Sequence, residues 1–189
     1  SWLLWDAVNV LGDEEIIKKA RPIVIKMVEH SLRCAYDKDG GLMSNGKDEK
    51  VADTDKCWWV QTETVIALMN AYQLTKDEKY LDDALLTWDF IKKYIIDHKD
   101  AEWNGKVSKD DHKPYTDEVK AGAWKCPYHD SRMCMEVAER VDSVLSEKIK
   151  NLFNNEAIKK DSIYNQVYLN CIYFITKLCN YFPSKIPIY

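Results

Sequence analysis

Glycine and proline are scarce in this chain, with six and five residues among 189. All-β folds need many tight turns, which these two residue types favour, so the scarcity argues against an all-β architecture. The chain also lacks net positive charge, since its formal charge is −4 at pH 7. A general nucleic-acid-binding surface is therefore not expected, and nucleic acid is not a predicted partner.

Familiar motifs for nucleotide, metal and serine chemistry are missing too. There is no P-loop, no dinucleotide fingerprint, no H-E-x-x-H and no G-x-S-x-G, and nothing in the sequence requires a cofactor. Cys126, His129 and Cys134 fit no standard zinc spacing and lack a fourth ligand, so no metal site is predicted. Residues 163–182 are too interrupted by polar residues to predict a membrane span, and no membrane partner is expected.

None of the six cysteines forms a C-x-x-C motif, and the first residues do not resemble a secretory signal. We therefore expect reduced, mostly buried thiols in a cytoplasmic protein. Aromatic residues, in contrast, are abundant, with seven Trp and eleven Tyr. Tryptophan offers an apolar plane with one polar edge, so an excess over the needs of the core is typical of sites for sugars or other flat-faced ligands.

Apolar residues recur at three- and four-residue intervals in five segments, which predicts a mainly helical protein. The predicted helices cover residues 1–11, 13–36, 58–74, 80–95 and about 128–152. Gly12 is expected to end the first helix, and Pro22 to kink the second or reset its start. A short connection at 75–77 predicts that the third and fourth helices form an antiparallel αα-hairpin.

The connecting segments are predicted to be mostly irregular. We expect a short strand at 41–43, a polar loop at 44–55 and a small β-hairpin excursion around 102–111. From residue 149 onward the chain is rich in Ile, Asn, Lys, Tyr and Phe, the residues of A/T-rich codons. We therefore predict one domain over residues 1–145 and a tail of uncertain origin over 146–189, to which no function is assigned.

His129 is the most interesting titratable residue, because it lies at a loop-to-helix junction between Tyr128 and Asp130. The N-terminus of a helix favours neutral histidine, which suits a general base working near pH 7. A structural capping histidine is the alternative, and the position alone does not decide between them. His30 and His98 lie in charged or exposed contexts, as does His112, and they are not predicted to be functional.

Trp59 and Glu63 are four residues apart and so share one helix face. An aromatic plane beside a carboxylate can stack on a sugar ring and accept hydrogen bonds from its hydroxyl groups. Spacing alone favours the alternative, in which Trp58 and Trp59 belong to the core and Glu63 is a charge near a helix N-terminus. Trp124 follows a glycine-containing segment and is either a platform on a loop or the anchor of that loop.

Four segments occur together: Ser-Trp-Leu-Leu-Trp at 1–5, Cys-Trp-Trp-Val-Gln-Thr-Glu at 57–63, Asn-Ala-Tyr-Gln-Leu-Thr at 70–75 with Thr-Trp-Asp-Phe-Ile at 87–91, and Trp-Lys-Cys-Pro-Tyr-His-Asp-Ser-Arg at 124–132. In order and spacing they resemble the C-terminal part of the N-acylglucosamine 2-epimerase family, especially its cellobiose 2-epimerase branch. The resemblance covers residues 1–141. It implies an all-α fold, an (α/α)6 barrel of alternating inner and outer helices, of which this chain supplies about half.

The resemblance also implies a reaction, the inversion of C2 in a reducing-end sugar such as cellobiose, a disaccharide. One histidine removes the C2 proton from the ring-opened sugar, an enediolate rotates, and a second histidine protonates the other face. No metal or nicotinamide is implied in the cellobiose branch. At matching positions the resemblance implies His129 as one catalytic histidine, with substrate-binding or supporting roles for Trp2, Trp58, Trp59, Glu63, Trp124 and Arg132.

The family's second catalytic histidine belongs to a His-Asp-Ile-Glu motif just before the segment that starts here at Ser1, and no other histidine of this chain matches it. We therefore expect a fragment that is inactive alone and associates with the missing half of the barrel or with itself. Interconversion of N-acetylglucosamine and N-acetylmannosamine is one alternative, and a non-catalytic helical sugar-binding module is another. A glycoside hydrolase would need two suitably spaced carboxylates, and the sequence shows no such pair.

Overall fold

A computed structural model of the chain describes residues 1–100, 102–115 and 117–154, with side chains up to Glu147. The chain divides into two compact units, one comprising Ser1–Met133 and one that begins at Cys134. Most of the predicted tail at 146–189 lies outside the described residues, so its separation from the domain stays a prediction. Among the described residues, no helix has both the length and the apolar character that crossing a membrane requires.

The described residues form five α-helices, which confirms the helices predicted from the apolar spacing. They are α1 (Trp2–Leu11), α2 (Glu14–Ala35), α3 (Trp58–Thr75), α4 (Glu78–Phe90) and α5 (Tyr128–Asn154), and a π-helical turn at Ile91–Ile95 continues α4. Gly12 ends α1 in the left-handed conformation with φ 74°, as expected for a glycine at this position.

The second helix begins where its acidic residues predict. The Asp13 side chain accepts hydrogen bonds from the backbone N–H groups of Glu15 and Ile16, at 3.0 and 3.1 Å, and so caps the helix. However, α2 continues through Pro22 to Ala35, so the helix does not restart there, and the other alternative, a kink at Pro22, stays a prediction. Buried apolar residues lie on both sides of the proline, and their packing holds the helix together despite the missing backbone donor.

Helix α3 is the centre of the Ser1–Met133 unit. Most of its 18 residues are buried, and it contacts α1, α2 and α4. This agrees with the apolar residues that the sequence distributes around much of the helix. The N-terminal end of α3 carries Trp58 and Trp59, with Glu63 one turn further on, so the rigid core positions all three side chains.

A β-hairpin replaces the polar loop predicted at 44–55. Strands β1 (Asn45–Lys47) and β2 (Lys50–Asp53) pair antiparallel, and the intervening Asp48 and Glu49 have φ values of 52° and 62°. Two consecutive positive φ angles are typical of the tight turns that match the twist of a hairpin. The loop prediction is wrong here because the turn carries neither Asn-Gly nor Asp-Gly, the dipeptides that usually mark it.

The segment around 102–111 also differs from the prediction. Strand β4 (Lys106–Val107) pairs with β3 (Lys56–Cys57), the strand directly before α3, rather than with a neighbour of its own. The chain then returns through a single bridge between Val107 and Pro114, which is the hairpin-like part of the excursion. In place of the strand expected at 41–43, the structure has a single β-bridge, between Tyr36 and Leu42.

Four cysteines lie within the described residues, and all four are free thiols. Cys34, Cys57 and Cys134 are half-buried, and Cys126 is exposed. The expectation of mostly buried cysteines is therefore wrong for these four. Residues 171 and 179, the other two cysteines, lie outside the described residues.

Candidate active site

Three helices bring four polar side chains together, and we call these residues the Glu63 cluster. Trp2 is the first residue of α1, Glu63 lies on α3, and His129 and Arg132 lie in the first turns of α5. Each helix contributes side chains from near its N-terminal end. Partners of Glu63 are therefore 61 to 69 residues away in sequence, and only the packing of the helices brings them into contact.

Both carboxylate oxygens of Glu63 are hydrogen-bonded. Oε1 lies 2.9 Å from Nδ1 of His129 and also accepts a hydrogen bond from the Arg132 guanidinium. Oε2 accepts a hydrogen bond from the Trp2 indole N–H at 2.8 Å. The Arg132 guanidinium also lies over the Trp2 ring, 5.1 Å from its centroid, so a cation–π contact joins the two donors.

The protonation of this cluster follows from its geometry. Burial opposes the ionisation of Glu63, but hydrogen bonds from His129, Arg132 and Trp2, with the charge of Arg132, outweigh it and lower the pKa of Glu63. Arg132 also lies 3.3 Å from Nδ1 of His129, but the contact with Glu63 is shorter, and an ionised carboxylate can only accept hydrogen bonds. We therefore assign the proton to Nδ1. In the neutral ring, Nε2 then has an unprotonated lone pair, which is what a general base requires.

Three aromatic rings surround the His129 imidazole within the described residues. Tyr128 and Trp58 meet it edge-on, at centroid distances of 5.1 and 6.3 Å, and Trp59 lies tilted at 5.8 Å. The Trp59 side chain is 41% exposed, so part of its ring is available to a ligand beside the histidine. An indole face in this position can stack on the apolar face of a sugar ring.

Trp58 is half-buried and has different neighbours from Trp59. The Lys125 ammonium lies 4.9 Å from the Trp58 ring centroid and 2.8 Å from the Glu102 carboxylate, and Lys125 is buried. The ring therefore lies between the Lys125–Glu102 ion pair and His129, and it forms a wall of the site. The supporting role that the resemblance implies for Trp58 stays a prediction.

The structure places every predicted site residue except Trp124 in or beside the Glu63 cluster. That side chain lies on the loop before α5 and is 93% exposed, so it is not packed into the Glu63 cluster. Sequence reasoning missed two neighbours of the site, Lys125 and Tyr128. The Tyr128 hydroxyl accepts a hydrogen bond from Arg132, whose guanidinium lies 4.4 Å from the tyrosine ring. The only signal for Tyr128 was its position directly before His129.

A cavity of about 480 Å³ reaches the Glu63 cluster, and this volume is in the range typical of small-molecule sites. Trp2, Trp59 and Glu63 line one part of it, and residues of α2 and of the β1–β2 hairpin line the rest. His129 is not among the lining residues. Within the ranges that the structure describes, no group of three or more His, Cys, Asp or Glu residues is arranged to hold a metal ion.

The packed helices of the chain correspond to part of an (α/α)6 barrel, the fold of the solved structures that it resembles. The chain resembles the crystal structure of a sugar epimerase from a ruminal bacterium, with a TM-score of 0.69 and 40% identity over 74% of this chain and 35% of the other. Residues 1–132 match the model of the N-acylglucosamine 2-epimerase family. The chain belongs to that family, as its motifs predicted.

The chain aligns with only part of each of these relatives. The cellobiose 2-epimerase of Ruminococcus albus is 42% identical over 141 residues, which are 74% of this chain and 36% of the relative. The D-mannose isomerase of Marinomonas mediterranea is 37% identical over 105 residues, which are 54% of this chain and 26% of the relative. The chain thus spans about a third of the length of the curated relatives that it matches most fully.

Proposed function

We propose that this chain carries one of the two proton-transfer groups of a sugar 2-epimerase acting on the reducing-end residue of a disaccharide such as cellobiose. The observation that carries the proposal is the 2.9 Å contact between Glu63 and Nδ1 of His129, which leaves Nε2 as a base. The exposed part of Trp59 beside that base supports a sugar as the ligand. The similarity to cellobiose 2-epimerase supports the choice of sugar.

In the proposed reaction, Nε2 of His129 removes the proton from C2 of the ring-opened sugar. The electrons of the C2–H bond form a C1–C2 double bond, and the carbonyl electrons move to O1, giving an enediolate. After rotation about the C2–C3 bond, a second group donates a proton to the opposite face of C2, and the C1 carbonyl forms again. Glu63 holds the imidazole in the required tautomer and stabilises the imidazolium that the first step creates.

The second proton-transfer group has no counterpart among the other histidines described. His30 lines the same cavity as Glu63, but its ring contacts Arg33. His98 contacts the Lys92 carbonyl, and His112 contacts Asp39, so none of these contacts involves a residue of the Glu63 cluster. We therefore propose that this 189-residue polypeptide does not epimerise sugars alone and that another polypeptide segment supplies the second group. The exposed apolar side chains of Val10, Leu11 and Ile23 support an association of α1 and α2 with further helices.

A chimera tests the role of His129. Residues 1–141 of this chain replace the matching segment of the Ruminococcus albus cellobiose 2-epimerase, and conversion of cellobiose to glucosyl-mannose is measured. We expect activity that falls by about a hundredfold or more in His129→Asn, as removal of a general base does. His98→Asn, which changes an exposed histidine outside the cluster, is the matched control and should retain activity.

Two outcomes would contradict the proposal. A folded chimera whose activity is unaffected by His129→Asn would remove the catalytic role of that residue. Conversion of cellobiose by the isolated 189-residue chain would contradict the need for a second group from elsewhere. Circular dichroism of each variant ensures that a loss of activity is not a loss of folding.

A second candidate function is aldose–ketose isomerisation, which the similarity to a D-mannose isomerase favours. Moving a proton from C2 to C1 on one face of an enediolate needs one base, and the described site contains one histidine. With mannose as substrate, an isomerase forms fructose, whereas an epimerase forms glucose. Identification of the product of the chimera therefore distinguishes the two functions.

A further inference from the structure

Asp37, Asp39, Lys56 and His112 form a second polar group in the Ser1–Met133 unit, which we call the Asp39 cluster. The Lys56 side chain is fully buried, and its ammonium lies 3.1 Å from Asp37 and 2.6 Å from Asp39. A buried ammonium is costly unless carboxylates compensate it, so the two aspartates are what permits Lys56 to lie there. On the other side, Nε2 of His112 lies 2.6 Å from the same Asp39 oxygen atom, Oδ2.

Several contacts fix the His112 imidazole. Its ring stacks on Tyr94 at a centroid distance of 4.1 Å and an interplanar angle of 17°, and it meets the Phe90 ring edge-on at a centroid distance of 5.8 Å. Burial opposes ionisation of Asp39, but hydrogen bonds from Lys56, from the Gly41 N–H and from His112 outweigh it and lower the pKa of Asp39. Asp39 is thus an acceptor, and the Nε2–H of His112 is the donor.

The Asp39 cluster lies where two loops meet the start of α3. Lys56 belongs to β3, whose partner β4 lies in the loop that carries His112, and the N–H of Trp58 donates to the Gly105 carbonyl of that loop at 3.0 Å. The loop that carries Asp39 is also bound to α3, because the Gln61 amide pairs with both backbone groups of Leu42 at 2.7 and 2.8 Å. Asp39 and His112 join the two loops to each other.

From this arrangement we propose that His112 is a positioning residue for the candidate site, acting through Asp39 and Lys56 on the orientation of Trp58 and Trp59. The two tryptophans directly follow β3 and lie against His129, so a shift of β3 moves the aromatic wall of the site. That the residues around His129 form a sugar site rests on the proposed function. The effect of His112 on the orientation of Trp58 and Trp59 does not depend on it. It is therefore measurable without a sugar.

The decisive variants separate the hydrogen bond of His112 from its stacking. His112→Phe keeps a ring on Tyr94 and removes the N–H donor, whereas His112→Gln keeps an amide N–H at about the same reach. His98→Phe changes an exposed histidine and is the matched control. The full 189-residue chain is labelled with 5-fluorotryptophan, and the ¹⁹F signals of Trp58 and Trp59 are assigned by replacing each with phenylalanine.

We expect His112→Phe to shift the signals of Trp58 and Trp59 while that of Trp88, which lies on α4, stays in place. His112→Gln should restore both signals towards their original positions, and His98→Phe should change none. Unmoved signals of Trp58 and Trp59, equal shifts at all tryptophans, or the absence of rescue by His112→Gln would overturn the proposal. If His112→Phe does not fold, His112→Asn, whose amide is too short to reach Asp39, is measured in its place.

A cellobiose titration of the same samples separates this proposal from the proposed function. If both hold, cellobiose moves the Trp59 signal in the unmodified chain, and its affinity falls about tenfold in His112→Phe, which corresponds to about 1.4 kcal/mol. If cellobiose moves no signal but His112→Phe still shifts Trp58 and Trp59, the proposed sugar ligand is wrong and the positioning role stands. If cellobiose binds equally well to both chains while the signals of Trp58 and Trp59 shift, the orientation that His112 sets has no role in the site, and the positioning proposal is wrong.

Discussion

The Glu63 cluster and the Asp39 cluster contain the same three chemical groups, a carboxylate, a histidine and a cation, and differ in their surroundings. In the Asp39 cluster the cation is fully buried and the histidine is closely stacked on an aromatic ring. The two histidine side chains are similarly exposed, at 21% for His112 and 28% for His129, but in the Glu63 cluster the nearby Trp59 is partly open to solvent. A cavity reaches Glu63 as well.

This difference shows that a carboxylate–histidine contact does not by itself indicate catalysis. Where the carboxylate meets a fully buried cation and the histidine is stacked on an aromatic ring, as around Asp39, the contact fixes loops in place. Where one side of the histidine adjoins an exposed aromatic face, as around Glu63, the same contact leaves a ring nitrogen available to a ligand. The predictions below test whether the Asp39 cluster has a structural role and the Glu63 cluster a chemical one.

The largest expected effect is on stability, from Lys56→Met. Removing the buried ammonium leaves Asp37 and Asp39 facing each other without a cation, and we expect the free energy of unfolding to fall by about 3 kcal/mol or more. Urea denaturation measures the loss. Lys113→Met, which removes an exposed partner of Asp111, is the control and should leave the midpoint unchanged. Equal effects of the two substitutions would contradict the structural role of the Asp39 cluster.

A smaller effect is expected from Glu63→Gln, at about 1 to 2 kcal/mol near neutral pH, since charged hydrogen bonds are weakened but the shape is kept. Because the folded pKa of Glu63 is lowered, its contribution is fully present above the unfolded value of about 4.3 and is lost as the pH falls through the folded pKa. Acidification should therefore destabilise Glu63→Gln less than the unmodified chain. Unfolding experiments from pH 7 to pH 2 measure this.

The control for that experiment is Glu139→Gln, which changes an exposed carboxylate outside both clusters. It should reproduce the pH dependence of the unmodified chain. If Glu63→Gln and Glu139→Gln follow the same curve, Glu63 is not the strongly hydrogen-bonded carboxylate that the geometry indicates.

Trp2→Phe removes one hydrogen bond from the Glu63 cluster while keeping an aromatic ring in place. We expect a loss of about 1 kcal/mol in stability and a rise in the pKa of Glu63, because one of its three side-chain donors is gone. Carbon-13 NMR titration of the Glu63 carboxyl group measures the change. Trp5→Phe, on the same helix, should not move it, and a similar rise in both variants would indicate a general effect of α1.

The smallest effect on stability is expected from Trp124→Ala. Its side chain is 93% exposed, so the free energy of unfolding should stay within about 0.5 kcal/mol of the original value. If Trp124 is a sugar platform, as its motif implies, the affinity for cellobiose should nevertheless fall. A loss of stability without a loss of affinity would instead support its alternative role as the anchor of the loop.

Much of the fold was predictable from short stretches of sequence. Helix α2 begins directly after Asp13 because that side chain caps its first turn. Helix α1 ends directly before Gly12 because glycine readily adopts a left-handed conformation. The hairpin at 45–53 was missed because Asp48 and Glu49 carry no clear turn signal. The restart at Pro22 was wrong because tertiary packing outweighs a local breaker.

The candidate site was predictable only as a set of residues. Motif matches identified His129 and Glu63, but nothing in the spacing indicated that Nδ1 of the histidine binds that carboxylate. The matched position of Trp124 did not reveal how exposed it is. Conversely, His112 lies in a charged loop and seemed ordinary until its contact with Asp39 was visible.

The sequence alone determined the helices, their caps and the family of this chain, because these depend on residues a few positions apart or on motifs in a fixed order. Only the tertiary structure decided which carboxylate meets which histidine, since Asp39 and His112 are 73 residues apart and Glu63 and His129 are 66 apart. Such pairs form when packed helices bring distant segments together. The side chains that surround each pair then set its environment, a fully buried cation beside Asp39 and a partly exposed indole beside His129, because they come from segments distant in the chain.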